Sequence, residues 1–196
     1  MSSQGIETRT RILVATQKLM EEHRGKGVNM SEIATAAGIS RQAVYLHFSS
    51  RADLLVATTR HMDQVLGIDE RLTASRAATT GVERLEAYIE CWGSYIPEIY
   101  GVAKSLLIMQ EIDEAAAKAW SDRMLAMREG CQAAIEALQR DGTLVTAWSI
   151  EEATDLFWTM LSVRNWEQLT FQCGWTTAQY INGIQALSKR TFVKDP

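Results

Sequence analysis

Apolar residues recur at helical spacing over the first sixty positions, but in short runs rather than one long stripe. Over residues 6–23 the positions Ile12, Leu13, Ala15, Thr16, Leu19 and Met20 predict one amphipathic helix. Arg24, Gly25, Lys26 and Gly27 end it. The rhythm resumes in NMSEIATAAGISRQAVYLHF, residues 29–48, and breaks there at Gly38. Asn29 predicts an N-cap, and Glu32 three residues on can reach back to the Asn29 backbone N–H as a capping box. Ile33, Ala34 and Ala37 form the buried face of this short helix. Gly38 takes the left-handed conformation that closes a helix at least cost, Ile39 folds inward, and Ser40 caps the next helix. The pattern therefore predicts two short helices joined by a tight turn.

Further along, helices are predicted over residues 50–66, over 80–96 with Thr80 and Glu83 as capping pair, and over 97–110 with Pro97 in the first turn. A long helix over 112–140 is ended by Gly142, one over 149–174 opens with Ser149 and Glu152, and the last, 176–189, opens with Thr176 and Gln179. Residues 67–79 are polar and weakly patterned, which predicts a connection. No segment predicts a strand. The expected fold is all-α, about nine helices, with residues 1–50 as one domain and 51–196 as a second.

Composition agrees with this reading, since the chain has 2 prolines among 196 residues and straight side chains that lose little rotamer freedom in helices are abundant. No apolar run approaches the ~18 residues of a membrane span, and the first twelve residues lack the apolar core of a secretory signal, so a cytoplasmic protein is expected. Cys91, Cys131 and Cys173 are too scattered for a disulfide framework or a metal site and read as buried free thiols. Neither a metal nor a cofactor is expected. The net charge of -4 hides an asymmetry, because residues 1–60 hold eight Lys/Arg against five Asp/Glu. A mildly basic head on an acidic body suits a head that approaches phosphates.

The helix after the turn carries the chemistry. Ala43, Val44 and Phe48 face inward, leaving Arg41, Gln42, Tyr45 and His47 outward. A helix fits the DNA major groove and reads base edges from its N-terminal residues. Arg41 can donate a fork to guanine N7 and O6, and Gln42 can pair bidentately with adenine. Tyr45 and His47 suit phosphates, as do Ser31 and Arg51 near helix starts with free N–H groups. With Ser40 at the head of the reading helix, the expected DNA-contact set is Ser31, Ser40, Arg41, Gln42, Tyr45, His47 and Arg51.

The ordered combination of Ile12, Leu13, Ala15, Leu19, then Ile33-Ala34, Ala36-Ala37-Gly38-Ile39-Ser40, Val44-Tyr45, His47-Phe48 and Asp53-Leu54-Leu55 resembles the N-terminal domain of TetR-type transcriptional repressors. The resemblance covers residues 6–58. It implies that Tyr45 and Arg51 touch the DNA backbone while positions 41 and 42 vary with operator sequence, and it implies repression rather than activation.

One such motif makes few base contacts, so a dimer on a palindromic duplex is expected. Residues 149–173 carry Ala153, Leu156, Phe157, Trp158, Met160, Leu161 and Val163, a wider apolar arc than one core-facing stripe needs. With Tyr180, Ile181, Ile184 and Leu187 it could form a symmetric four-helix bundle, the expected dimer interface being Leu156, Met160, Val163, Tyr180, Ile184 and Leu187. The resemblance places the interface in the same two helices. The body also holds 6 Trp, and Trp92, Tyr95, Trp120, Phe157, Trp158 and Leu161 are expected to line a site for a small apolar or aromatic effector. The resemblance implies the mechanism, in which ligand binding shifts the helix over 50–66 and releases DNA. Two other classes are a helical adaptor without a DNA role and a helical-bundle enzyme. The second lacks support, because no Glu-x-x-His pair, phosphate-binding loop or nucleophile elbow occurs.

Overall fold

The computed structural model describes residues 3–23 and 25–194, so the expected helix stop at Arg24 lies outside the described residues. The described residues contain eleven α-helices and one π-helical turn. They are α1 Ser3–His23, α2 Met30–Ala36, α3 Arg41–His47, α4 Arg51–Val65, α5 Ile68–Arg71, α6 Thr73–Ala77, α7 Gly81–Met109, α8 Glu114–Arg140, α9 Ile150–Met160, α10 Val163–Glu167, the π turn Gln168–Gln172, and α11 Thr177–Phe192. The β pairing among them is one isolated antiparallel bridge between Leu144 and Val193.

The chain divides into two compact units. The first comprises Met1–Leu66 and Ile99–Met124, so it takes in the C-terminal part of α7 and the N-terminal part of α8. Within it α1 packs on α2 and α4, and α2 packs on α3. Ile12, Leu13, Met20, Ile33, Val44, Phe48, Leu54 and Leu55 fill the core, joined by Val102, Leu106 and Met109 of α7 and Ala116 and Ala119 of α8. The second unit, Gly67–Glu98 and Leu125–Pro196, is built on Leu85, Ile89, Trp92, Tyr95, Ile135, Leu138, Phe157, Tyr180 and Phe192, all buried. Its rings form a chain, with Tyr88 6.1 Å from Phe157 and Phe157 6.0 Å from Phe192.

Tertiary packing changed three elements. Residues 81–109 form one helix with Pro97 inside it rather than two helices meeting there. Pro97 is exposed, whereas Trp92, Tyr95 and Ile96 before it and Val102 and Leu106 after it are buried, and their burial outweighs the lost backbone bond. Residues 149–174 break the opposite way, into α9, α10 and the π turn. The Leu161 carbonyl accepts the Trp92 indole N–H at 2.7 Å, and the Asn165 N–H that would have bonded it turns to Ser162 Oγ at 3.3 Å. Residues 67–79 form two single-turn helices, tied by ion pairs from Arg76 to Asp69 and from Arg71 to Glu98. Among the thiols, Cys91 and Cys131 are buried as expected, but Cys173 is exposed, because the π turn that precedes it leaves the core before Gly174 turns the chain. Burial pushes the Cys131 thiol up to about 12. Among the described residues no helix is long and apolar enough to cross a membrane.

Candidate nucleic-acid interface

The α2–turn–α3 segment is held by its own caps. Asn29 Oδ1 accepts the N–H groups of Ser31 and Glu32 at 3.0 Å each, and Glu32 Oε2 accepts the Asn29 N–H at 3.0 Å. Gly38 sits at φ +66°, and a Cβ there would meet nothing within 4 Å, so glycine is required for its conformation and not for space. The Ile39 N–H returns to the Ala34 carbonyl at 3.0 Å. Ser40 Oγ then accepts the Ala43 N–H at 3.1 Å and starts α3. Caps of this kind contribute ~1 kcal/mol each, which matters for seven-residue helices too short to persist alone.

Val44 and Phe48 fasten α3 to the core, and Arg9 of α1 stacks over the Phe48 ring at 4.8 Å from its centroid. Arg41, Gln42, Tyr45 and Leu46 form the exposed face. His47 was expected with them but is half-buried, since it lies three residues after Val44 and four after Ala43, on the flank of the buried stripe. Leu46 replaces it outside. The Arg41 guanidinium lies 5.7 Å from the Tyr45 ring centroid. A planar cation resting on a ring loses less freedom when it bonds, so Tyr45 preorganises the fork of Arg41 as well as presenting its own hydroxyl. Ser31 and Ser40 are exposed at the starts of α2 and α3.

Arg51 is directed elsewhere. Its Nε donates to the Val28 carbonyl, Nη1 donates to Asp113 Oδ1 at 2.8 Å, and Nη2 lies 2.7 Å from Asp113 Oδ2. All three nitrogens of its fork are thus engaged within the first unit, with 26% of the side chain exposed. Asp113 also accepts the N–H groups of Ala115 and Ala116 at 3.0 and 3.2 Å and so caps α8. Sequence reasoning missed this pair because Asp113 lies 62 positions away, where no local spacing reports it. Lys118 with Asp53, Asp122 with Arg60 and Arg123 with Asp63 extend the same charge complementarity along α4 and α8.

The effector candidates divide. Trp92, Tyr95, Phe157 and Leu161 lie buried in the second unit, where Trp92 bonds Leu161 and its ring is 6.4 Å from that of Tyr95, while Trp158 is half-buried. Trp120 belongs to the first unit and packs on its core. The dimer candidates divide too. Val163, Tyr180 and Ile184 are buried within the second unit, Leu156 and Met160 are half-buried, and Leu187 is 48% exposed. Tyr180 faces inward because α11 crosses Gly93, whose missing Cβ leaves room for Tyr180 and Ile181. The buried Tyr180 hydroxyl lies by the Trp92 indole, whose N–H goes to the Leu161 carbonyl, and burial raises its ionisation well above the usual range for tyrosine.

An all-helical fold with a capped turn and a polar exposed α3 defines a helix-turn-helix protein. Residues 12–58 match the family model described as bacterial regulatory proteins, tetR family. It is 33% identical over 92 residues to the HTH-type transcriptional activator FasR of Mycolicibacterium smegmatis, a match covering 46% of this chain and 41% of FasR, so the match spans about two-fifths of that relative. NalD, the secondary repressor of the MexAB-OprM multidrug efflux pump in Pseudomonas aeruginosa, superposes with a TM-score of 0.73 at 19% identity, covering 98% of this chain and 99% of NalD. A transcriptional regulator from Saccharomonospora viridis, solved with choline, superposes at 0.75 with 17% identity, covering 96% and 99%. These two show a common fold. The family and these relatives are regulators of transcription rather than enzymes.

Proposed function

We propose that the protein regulates transcription by binding a palindromic DNA site as a dimer, with Arg41 and Gln42 of α3 reading bases and Ser31, Ser40, Tyr45 and His47 holding the backbone. The observation that carries this reading is the exposed α3 face on a capped turn, with Arg41 stacked on Tyr45. Major-groove readout needs polar forks on a rigid helix, and both are present. The reading head is residues 1–50, carried on a body of residues 51–196, and the protein acts in the cytoplasm on the nucleoid.

The second copy docks on α9 and α11 of the body, where Leu187 is exposed beside half-buried Leu156 and Met160. The effector is a small apolar or aromatic molecule held near Trp92, Tyr95, Phe157 and Leu161. It releases DNA because it prefers the conformation that cannot span both half-sites. Repression is the direction implied by the family resemblance.

Selection of bound duplexes from a random pool by the purified chain tests the reading. The expected product is a palindrome with half-sites about one helical turn or a multiple apart. Absence of any enriched site, or binding insensitive to salt, refutes it. Thermal shifts across apolar and aromatic compounds test the effector separately, and a reporter with the selected site over its promoter tests the direction of control.

A further inference from the structure

We infer that Leu46 is a specificity-determining residue that reads a thymine through its C5-methyl group, an inference that rests on the DNA-binding reading above. Leu46 is 82% exposed, more than any other large hydrophobic residue of the described chain. It does not lie on a frayed end or a loop. It sits in the last turn of α3, between Tyr45 and the half-buried His47, on a helix whose core side is fixed by Val44 and Phe48. A leucine there adds nothing to the packing of the first unit, whose core takes its contacts from the opposite side of the helix.

Gln42 and Leu46 are four residues apart on the exposed face, so their side chains stack one turn apart along the axis. Arg41 and Tyr45 form the adjacent row. The outward surface of α3 is therefore a polar row of Arg41 on Tyr45 beside a mixed row of Gln42 and Leu46. In the major groove the apolar feature that distinguishes one base pair from another is the thymine methyl. A helix rises 1.5 Å per residue, so Leu46 lies ~6 Å beyond Gln42, about two base-pair steps of ~3.4 Å. The thymine that Leu46 touches should lie within about two base pairs of the adenine that Gln42 reads.

The test uses the full chain and a site selected by it, with each thymine replaced in turn by deoxyuridine, which lacks only the methyl. Wild type should lose about fourfold in affinity at one thymine per half-site, the ~0.8 kcal/mol of one buried methyl group. That thymine should neighbour the adenine whose preference disappears in Gln42→Ala. Leu46→Ala, at an exposed position that leaves the fold intact, should bind the uracil and thymine duplexes equally there. Equal uracil sensitivity in wild type and Leu46→Ala at every position overturns the inference, as does a wild type indifferent to every uracil. Those outcomes leave DNA binding standing, whereas failure to bind any duplex overturns the DNA-binding reading together with this one.

Discussion

Arg51 and Asp113 form a two-pronged ion pair, with contacts of 2.8 and 2.7 Å, between the first turn of α4 and the cap of α8. The pair is largely enclosed, with 26% of the arginine side chain and 13% of the aspartate side chain exposed. Because Arg51 also holds the Val28 carbonyl, one guanidinium joins three segments of the first unit. Removing one partner of such a pair leaves the other desolvated without compensation.

Arg51→Ala should therefore destabilise the chain by about 2–3 kcal/mol, read as a lower urea midpoint with little change in slope. A loss below ~0.5 kcal/mol, together with a reduced salt dependence of DNA binding, would instead return Arg51 to the phosphate contacts.

Acid should weaken this unit along a defined path. Hydrogen bonds from Ser49 and Ser50, with Lys118 beside them, lower the Asp53 carboxyl to about 2. Burial raises that of Asp113, but the Arg51 hydrogen bond and the α8 amides outweigh it and leave it below the usual range. Groups lowered on folding stabilise the folded state above their unfolded value, ~3.9 for aspartate, and lose that contribution as pH falls through the folded value. The melting temperature should drop between about pH 4 and pH 2, and Asp53→Asn should flatten part of that drop.

The two rows of α3 should separate in binding assays. Arg41→Ala should cost ~1–3 kcal/mol at cognate sites with a smaller loss on random duplex. Tyr45→Phe keeps the ring beneath Arg41 and removes the hydroxyl, so it should weaken cognate and random duplex alike by ~1 kcal/mol. Tyr45→Ala should add a loss of base preference, because Arg41 then loses its support. Fluorescence anisotropy on both duplexes at two salt concentrations distinguishes these outcomes.

In the second unit, Trp92→Phe should leave the Leu161 carbonyl without its 2.7 Å donor in a buried site. The expected cost is ~1–3 kcal/mol, measured by urea unfolding. Backbone hydrogen exchange should speed at residues 161–166, where that bond replaces the helical one.

Glycine positions should separate conformation from space. Gly38→Ala should cost ~1–2 kcal/mol, from the left-handed backbone alone. Gly81→Ala should cost more despite its ordinary backbone, because the added Cβ would fall 2.5 Å from the Leu138 nitrogen. Thermal melts of the two variants should rank them in that order.

Much of the first unit was legible because its signals are local. Asn29 with Glu32, Gly38 and Ser40 act within four residues of themselves, and caps and turns work at that range in any context. The inward set Ile12, Leu13, Ile33, Val44 and Phe48 follows from helical periodicity, which burial then obeys. Even the exposure of Leu46 was implicit in its spacing from Gln42. Tertiary structure decided what depends on partners distant in the chain. Arg51 turns to an aspartate 62 residues away because a desolvated guanidinium takes the nearest fixed carboxylate. Pro97 stays inside α7 because buried side chains on both sides hold the helix, and the helix over 149–174 breaks because Trp92 claims a carbonyl at its middle. Tyr180 and Ile184 lie inside the second unit, since an apolar arc records that a face is covered and not whether its own chain or another covers it.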